Sequence, residues 1–478
     1  MSQTSRRKFL KQAGAVGLAM GAVSVAGPRS LQAAADASRP NILLFFPDQH
    51  RYDWLGTTRG LGLRTPNLDA LGTRGVRFTK AVCPAPVCAP SRACLAAGKE
   101  YDRCGVAGNG QNYPERQTTF YKLLRQAGYH VMGCGKFDLR KPSYSWGRNG
   151  KQVIDGVSYM DLWGFSDGID NSGKHDGIAA FRRGKFCPYT GFLQDRKLLQ
   201  IHVDDFARRK NYDGKVTPLP EDAYADNWIG NNGLQLMRNA SPGKPWFLQV
   251  NFNGPHEPMD VTQRMKDGWK GIRFPGPNGR PATIGHDEIR QNYAAMIENI
   301  DRWLGLYVRE LEQRGELDRT LIVYSSDHGE MLGDHGRWGK TLPYHPSAGV
   351  PLIAAGPGLR QGWVCGAPTT TLDLSATFLE LAGANVPKDM DSRSLLPLLR
   401  GQTESHRQVV RSGLGQWRLA WDGRYKLIRG FDEQGRAGVR AAGGALSDVL
   451  FDLQEDPLEN TNFAPKAPEI VRRLQAEL

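Results

Sequence analysis

The sequence predicts an α/β fold, with a central, mostly parallel sheet flanked by helices and a smaller C-terminal antiparallel-sheet subdomain. Three observations predict it. Apolar runs at Asn41–Phe46, Trp246–Phe252 and Leu321–Tyr324 read as strands buried on both faces. Between the last two, Ile297, Ile300, Trp303, Leu304, Tyr307 and Leu311 recur at helical spacing and Gly315 follows as a stop. Each run also ends in a polar cluster, at the strand ends where open parallel sheets collect ligands.

The first 35 residues carry the chain's export information. Ser5-Arg6-Arg7-Lys8 precedes a weakly apolar run from Ala13 to Gly27, which leads to Ala33-Ala34-Ala35. This pattern reads as a cleavable signal. It is too short for a mature span, so no stable membrane span is expected. The paired arginines resemble the twin-arginine class, so the Tat translocon becomes a partner and the product periplasmic or extracellular. The expected organisation is 1–35 signal, 36–370 catalytic domain and 371–478 C-terminal subdomain.

With 40% hydrophobic and 23% charged residues, the 478-residue chain suits a soluble globular protein, not a collagen-like or wholly disordered one. Its formal charge is +13, and removal of the signal leaves 57 basic against 49 acidic residues. That surplus suits an anionic ligand. The basic residues are scattered, so no nucleic acid is expected. Seven cysteines without a C-x-x-C pair disfavour structural zinc.

Ser172–Lys215 shows no clear periodicity and is expected to be a solvated loop. Leu372–Ala382 reads as a helix. Trp417–Trp421, Arg424–Ile428 and Val449–Leu453 read as short strands, and a helix is expected near Pro468–Leu478.

The sharpest motif is Cys88-Ala89-Pro90-Ser91-Arg92, followed by Ala93-Cys94-Leu95-Ala96-Ala97-Gly98. It is accompanied, in order, by Asp48-Gln49-His50-Arg51, Thr65-Pro66-Asn67-Leu68-Asp69, Gly135-Lys136, Pro255-His256-Glu257-Pro258, Asp327-His328-Gly329-Glu330, Trp338-Gly339-Lys340 and Phe451-Asp452-Leu453. This series resembles the formylglycine-dependent (type I) sulfatases of the alkaline-phosphatase-like superfamily.

The resemblance implies hydrolysis of sulfate monoesters by a Cα-formylglycine (3-oxoalanine) made from Cys88, and hence a formylglycine-generating or equivalent maturation enzyme as partner. An aldehyde hydrate suits that chemistry. After one hydroxyl takes the sulfate, the other can lose its proton and expel it as the carbonyl reforms. Arg92 would hold the hydrate. Lys136 would bridge hydrate and sulfate, Lys340 would bind sulfate, and His256 would protonate the leaving alcohol.

Asp48, Gln49, Asp327 and His328, with Cys88, are implied as metal ligands. Carboxylate oxygens suit Ca²⁺, and the imidazole shifts preference toward Mn²⁺ or another divalent ion. Asp138 departs from the resemblance, standing where the family has a histidine. It is expected to act either as a weaker base or as a contact for a substrate hydroxyl. His50, Arg51, Arg140, Arg337, Trp338 and His345 are candidate substrate contacts, and the substrate is expected to be a sulfated small molecule or oligosaccharide. Two other readings stay open: a phosphonate monoester or phosphodiester hydrolase with the same nucleophile, and a catalytically inactive protein that binds sulfated glycans.

Overall fold

The computed structural model describes residues 39–478, apart from residues 242, 279–285, 441–443 and 445. The expected signal at 1–35 lies outside the described residues. An eight-stranded sheet forms the centre, in the order Trp363–Cys365, Val76–Phe78, Leu352–Ala355, Thr320–Tyr324, Asn41–Phe45, Trp246–Asn251, His130–Gly135 and Asp167–Asp170. Only Leu352–Ala355 runs antiparallel to its neighbours. In the middle, Leu43 stands level with Leu248 and Ile322.

The first strand shows why its sequence is continuously apolar. Ile42, Leu44 and Phe46 join one core, with Phe120, Phe247 and Phe378. Leu43 and Phe45 join the core on the opposite face, with Leu248, Trp303 and Tyr307. Side chains alternate between the faces, and helices cover both. The helix anticipated around 297–311 runs from His286 to Gln313 and buries Ile297, Ile300, Leu304, Tyr307 and Leu311.

The stretch Ser172–Lys215 corrects the expectation of a loop. It contains helices at Lys174–Phe181, Pro188–Asp195 and Leu199–Arg208. Each is only 8–10 residues long, so no window is wide enough for a periodic signal. Local chemistry sets the middle one: Cys187 caps it reciprocally with Thr190, and Pro188 occupies the first turn.

The helix Asp373–Leu381 packs on the helix Cys88–Ala97, and its Phe378 is fully buried in the main core. A separate antiparallel sheet follows, in the order Val410–Leu414, Trp417–Trp421, Tyr425–Arg429 and Asp448–Asp452. One face packs Trp417, Trp421, Ile428 and Phe451 against Met331 and Tyr344 of the main domain. The other is covered by the helix Pro468–Gln475 through Leu474. The small sheet therefore braces the segment that carries Lys340.

Candidate functional site

Four neighbouring parallel strands end at one place and deliver most of the candidate residues there. Asp48 and Gln49 follow Asn41–Phe45, Asp327 and His328 follow Thr320–Tyr324, His256 follows Trp246–Asn251, and Lys136 follows His130–Gly135. At the last turn Gly135 has φ 103°, and a Cβ there would fall 2.0 Å from the Asn251 carbonyl oxygen. Only glycine lets the chain pass so close and turn Lys136 inward. Cys88 is the first residue of the helix Cys88–Ala97, after an extended Val87, and Gly98 ends that helix in the left-handed conformation. The helix N-terminus favours negative charge at Cys88.

Ligand atoms of Asp48, Cys88, Asp327 and His328 all lie within 4.8 Å of one another, and all four residues are buried. Cys88 Sγ is 3.3 Å from His328 Nε2 and 3.9 Å from Asp48 Oδ1. His328 Nδ1 lies 3.0 Å from the Gly329 carbonyl, which can only accept, so Nδ1 carries a proton and Nε2 faces the group.

Arg92 braces the group from behind. Its Nε and Nη2 reach Asp327 Oδ2 at 3.0 and 2.9 Å, while Nη1 donates to the Lys136 carbonyl at 2.7 Å. Ser91 Oγ donates to the Asp327 carbonyl at 2.6 Å. The motif thus ties the Cys88 helix to the Asp327 turn on two sides.

Charge around Cys88 is organised for an anion. Burial and Asp48 push its thiol up, but Lys136, Lys340 and His328 overcome both and hold it well below the usual thiol range. Burial likewise opposes ionisation of Asp48, yet Lys136, His256, Lys340 and Arg92 keep its carboxyl well below the ordinary value. Asp327 is raised by burial and by Asp48, against the pull of Arg92. Two buried carboxylates that repel, beside an imidazole nitrogen and a sulfur, form a donor set that fits a divalent cation.

Lys340 stands on the other side. Its Nζ donates to Gln49 Oε1 and to His256 Nε2. His256 Nδ1 donates to the Glu257 carbonyl, so Nε2 is the nitrogen turned into the site. Gln49 spans the two halves: its backbone N–H donates to Asp327 Oδ1 at 3.0 Å, and its Nε2 donates to Glu257 at 2.7 Å and also to Glu330. Sequence reasoning gave no role to Glu257 or Glu330. Burial and Glu257 push Glu330 up to about 7, whereas His256, Lys340 and the Gln49 amide hold Glu257 down at about 2 despite its burial. A carboxylate beside an amide and a lysine was the only signal available, and it is a common one.

Asp138 is buried at φ 55°, with Oδ2 3.2 Å from both Lys136 Nζ and Lys141 Nζ. Its Oδ1 is buried and has no hydrogen-bond partner.

Three of the six candidate substrate contacts are turned inward. His50 is fully buried between the Tyr324 hydroxyl and the Trp54 carbonyl, both at 2.7 Å, and burial lowers it to about 4. Arg51 is committed to Asp53 and Asp334, each at 2.6 Å. His345 is buried edge-on to Tyr52 and Trp421, where its backbone N–H donates to Glu459 at 2.6 Å. These residues hold loops. They are corrected to structural roles, because both ring nitrogens of His50 are occupied, two carboxylates and the Met331 carbonyl hold Arg51, and His345 is enclosed by Tyr52 and Trp421. Arg140 lies 3.8 Å over the Tyr159 ring and pairs with Glu115 at 3.1 Å. Trp338 packs against Tyr212 and His286, and Arg337 is exposed, its guanidinium 3.4 Å from the Gln434 carbonyl.

All seven cysteines are buried and free. No helix among the described residues is long and apolar enough to cross a membrane.

The sulfatase family model matches residues 40–384. The chain is similar to an arylsulfatase of Clostridium perfringens, at 26% identity over 89% of this chain and 90% of that protein. It is also similar to an N-acetylglucosamine-6-O-sulfatase of Bacteroides thetaiotaomicron, at 26% identity over 90% and 84% of the two chains. Among solved structures, it shares the fold of the phosphonate monoester hydrolase of Agrobacterium radiobacter, with a TM-score of 0.73 at 22% identity over 92% of this chain and 94% of that one.

Proposed function

Because the chain belongs to the sulfatase family and is a sulfuric ester hydrolase, we propose that it cleaves sulfate monoesters of carbohydrates through a formylglycine made from Cys88. The reaction is R–O–SO₃⁻ plus water giving R–OH, sulfate and a proton. The observation that carries this reading is the position of Cys88 Sγ, 3.3 Å from His328 Nε2 inside a buried group of carboxylates and faced by Lys136 and Lys340.

Asp48, Asp327 and His328, with Gln49 and the modified Cys88, would hold a divalent ion, Ca²⁺ by preference for its oxygen donors. When bound, that ion polarises sulfate oxygens and lowers the pKa of the aldehyde hydrate. The chain's own residues do the rest. Lys136 and Lys340 supply fixed cations for the sulfate oxygens, already oriented by Asp48 and Gln49. His256 presents Nε2 to the leaving oxygen, and its contact with the Lys340 ammonium keeps a proton within reach of that atom. Arg92 fixes Asp327, and through the Lys136 carbonyl also the loop opposite. The unpartnered Oδ1 of Asp138 is an acceptor for a hydroxyl of the hydrate or of the substrate.

The expected Tat leader would place this action outside the cytoplasm. Since Cys88 is fully buried once folded, its conversion by the maturation enzyme would precede export. The carbohydrate reading is supported by the N-acetylglucosamine-6-O-sulfatase among the relatives.

A second reading is favoured by the Asp-Gln and Asp-His pairs and by the likeness to a phosphonate monoester hydrolase: hydrolysis of phosphonate monoesters or phosphodiesters with the same nucleophile. Parallel assays on a sulfate monoester and a phosphodiester decide between them. The sulfatase reading expects the sulfate ester to be preferred by at least about tenfold in kcat/KM, and a phosphodiester preference overturns it.

A further inference from the structure

Among the helices Pro188–Asp195, Ala225–Asn239, Gln263–Trp269 and His286–Gln313, outside the catalytic group, lies a cavity of about 610 Å³. Phe192, Trp228 and Trp303 form its apolar wall, and Arg196, Arg264 and Arg302 supply charge. A second cavity of about 430 Å³ adjoins it and shares Arg264 and Arg302.

The three arginines are not equivalent. Arg196 pairs with Asp222 at 2.6 Å and Arg264 with Glu221 at 3.0 Å. Arg302 has no carboxylate. Its Nη2 donates to the amide oxygens of Asn227 and Asn299 at 3.0 and 3.1 Å, and its Nε is buried without a partner. Arg264 and Arg309 lie near enough to repel it and Glu221 near enough to attract it, less strongly than Arg264 repels, and Arg309 is exposed with no acidic partner among the described residues. A half-buried guanidinium between two further arginines and one carboxylate, bonded only to amide oxygens and with its buried Nε unpaired, leaves room for one more anion.

The walls narrow the class of anion. A bare inorganic ion needs no aromatic wall, and a nucleic-acid strand needs a continuous basic track, whereas here Glu221 and Asp222 interrupt the charge. Carboxylate acceptors and the exposed Asn231 amide beside aromatic faces suit a ring that carries both hydroxyls and an anionic oxygen group. Arginine forks suit a planar pair of such oxygens.

The cavity is also placed to take part of a chain whose end is being cleaved. Trp228 lies two residues beyond Asp226, whose carboxylate accepts the Asn253 and Gly254 N–H groups just before Pro255-His256. Arg302 lies nine residues beyond Tyr293, whose hydroxyl donates to the Gln49 carbonyl. That spacing is about 14 Å along one helix.

We propose that this cavity is a second binding site, for a sulfated sugar residue of an oligosaccharide whose terminal ester occupies the catalytic group. The proposal rests on the carbohydrate reading above and extends it from a single sulfated sugar to a chain. Heparin and carrageenan hexasaccharides, with chemically desulfated controls, are the probes. Their affinity for wild type, Arg302→Gln and Phe192→Ala is measured by calorimetry, alongside kcat/KM on a small aryl sulfate and a thermal melt. At least one sulfated hexasaccharide should bind wild type, and each variant should weaken it by about fivefold or more. The desulfated controls should not bind, and aryl sulfate turnover should stay within about twofold of wild type. The site is overturned if both variants bind like wild type, if the desulfated chain binds as tightly, or if neither probe binds at all. Failure of the protein to hydrolyse any sulfate ester, with the affinity loss still seen, would instead remove the catalytic reading and leave the site standing.

Discussion

Lys174 holds the main chain of His256: its ammonium lies 2.9 Å from the His256 carbonyl oxygen, 3.1 Å from that of Pro258 and 2.6 Å from Asp260 Oδ1. The lysine side chain is 2% exposed, so this is a buried, fully used cation tying the helix Lys174–Phe181 to the loop that carries His256. Replacing it by methionine keeps the bulk, strands the Asp260 carboxylate and frees the loop. Lys174→Met should lose about 3–5 kcal/mol of stability, and kcat on a sulfate ester should fall about 10²-fold through misplacement of His256. Melting and steady-state kinetics check this, and an unchanged kcat in folded protein would contradict it.

Arg92 contributes geometry as well as charge. Its Nε bonds Asp327, its Nη1 holds the Lys136 carbonyl and its Nη2 makes an ion contact with Asp327, and a lysine cannot reproduce two directed bonds of opposite aim. Arg92→Lys should therefore lower kcat/KM by about 10²-fold even if it folds. Activity within twofold of wild type would show that charge alone suffices at this position.

Metal dependence should appear in stability as well as rate. Chelation should lower both activity and melting temperature, and Ca²⁺ should restore both, with about 3 kcal/mol gained near a hundredfold excess over Kd. Asp48→Asn and Asp327→Asn should lose that calcium-dependent stabilisation. A melt of either variant that shifts with Ca²⁺ as wild type does would remove those carboxylates from the ligand set.

A stability term with a defined pH window lies away from the site. His202 is buried among Tyr189 and Phe206, and burial lowers it to about 4. Because the unfolded imidazole takes its proton near pH 6.5 and the folded one only near 4, stability is fully present above pH 6.5. It declines as pH falls toward 4, by about 3 kcal/mol in all. His202→Gln should remove this decline, so the stability gap between wild type and variant should narrow as pH falls from 7 to 4. A gap constant with pH would show that His202 is accessible to protons in the fold.

The central strands were readable because burial on both faces forces an unbroken apolar run, as Asn41–Phe45 and Thr320–Tyr324 show. Asp167–Asp170 was not readable, since an edge strand spelled Asp-Gly-Ile-Asp carries no apolar pattern. His130–Gly135 was obscured by two glycines, one of which gives close passage beside Asn251. The convergence of most candidate residues was legible because Asp48, Gln49, Lys136, Asp327 and His328 follow strand ends and Cys88 opens a helix, where position along the chain fixes position in space. What sequence could not show was side-chain direction. Arg51 and His345 sit within a few residues of functional groups yet spend their polar atoms or their faces on loop anchors, and nothing in one dimension distinguishes an inward from an outward turn. Lys174 was missed for a related reason: its partners lie more than 80 residues away in the chain.

The central claim is that the side chain at position 88 performs the attack. Cys88→Ala removes the thiol through which Cβ is oxidised to the aldehyde and leaves Arg92, Lys136, His256 and Lys340 in place. With folding confirmed by an unchanged melt, hydrolysis of the best sulfate ester should fall by at least about 10³-fold. Turnover at the wild-type rate by that variant would contradict the account at its root.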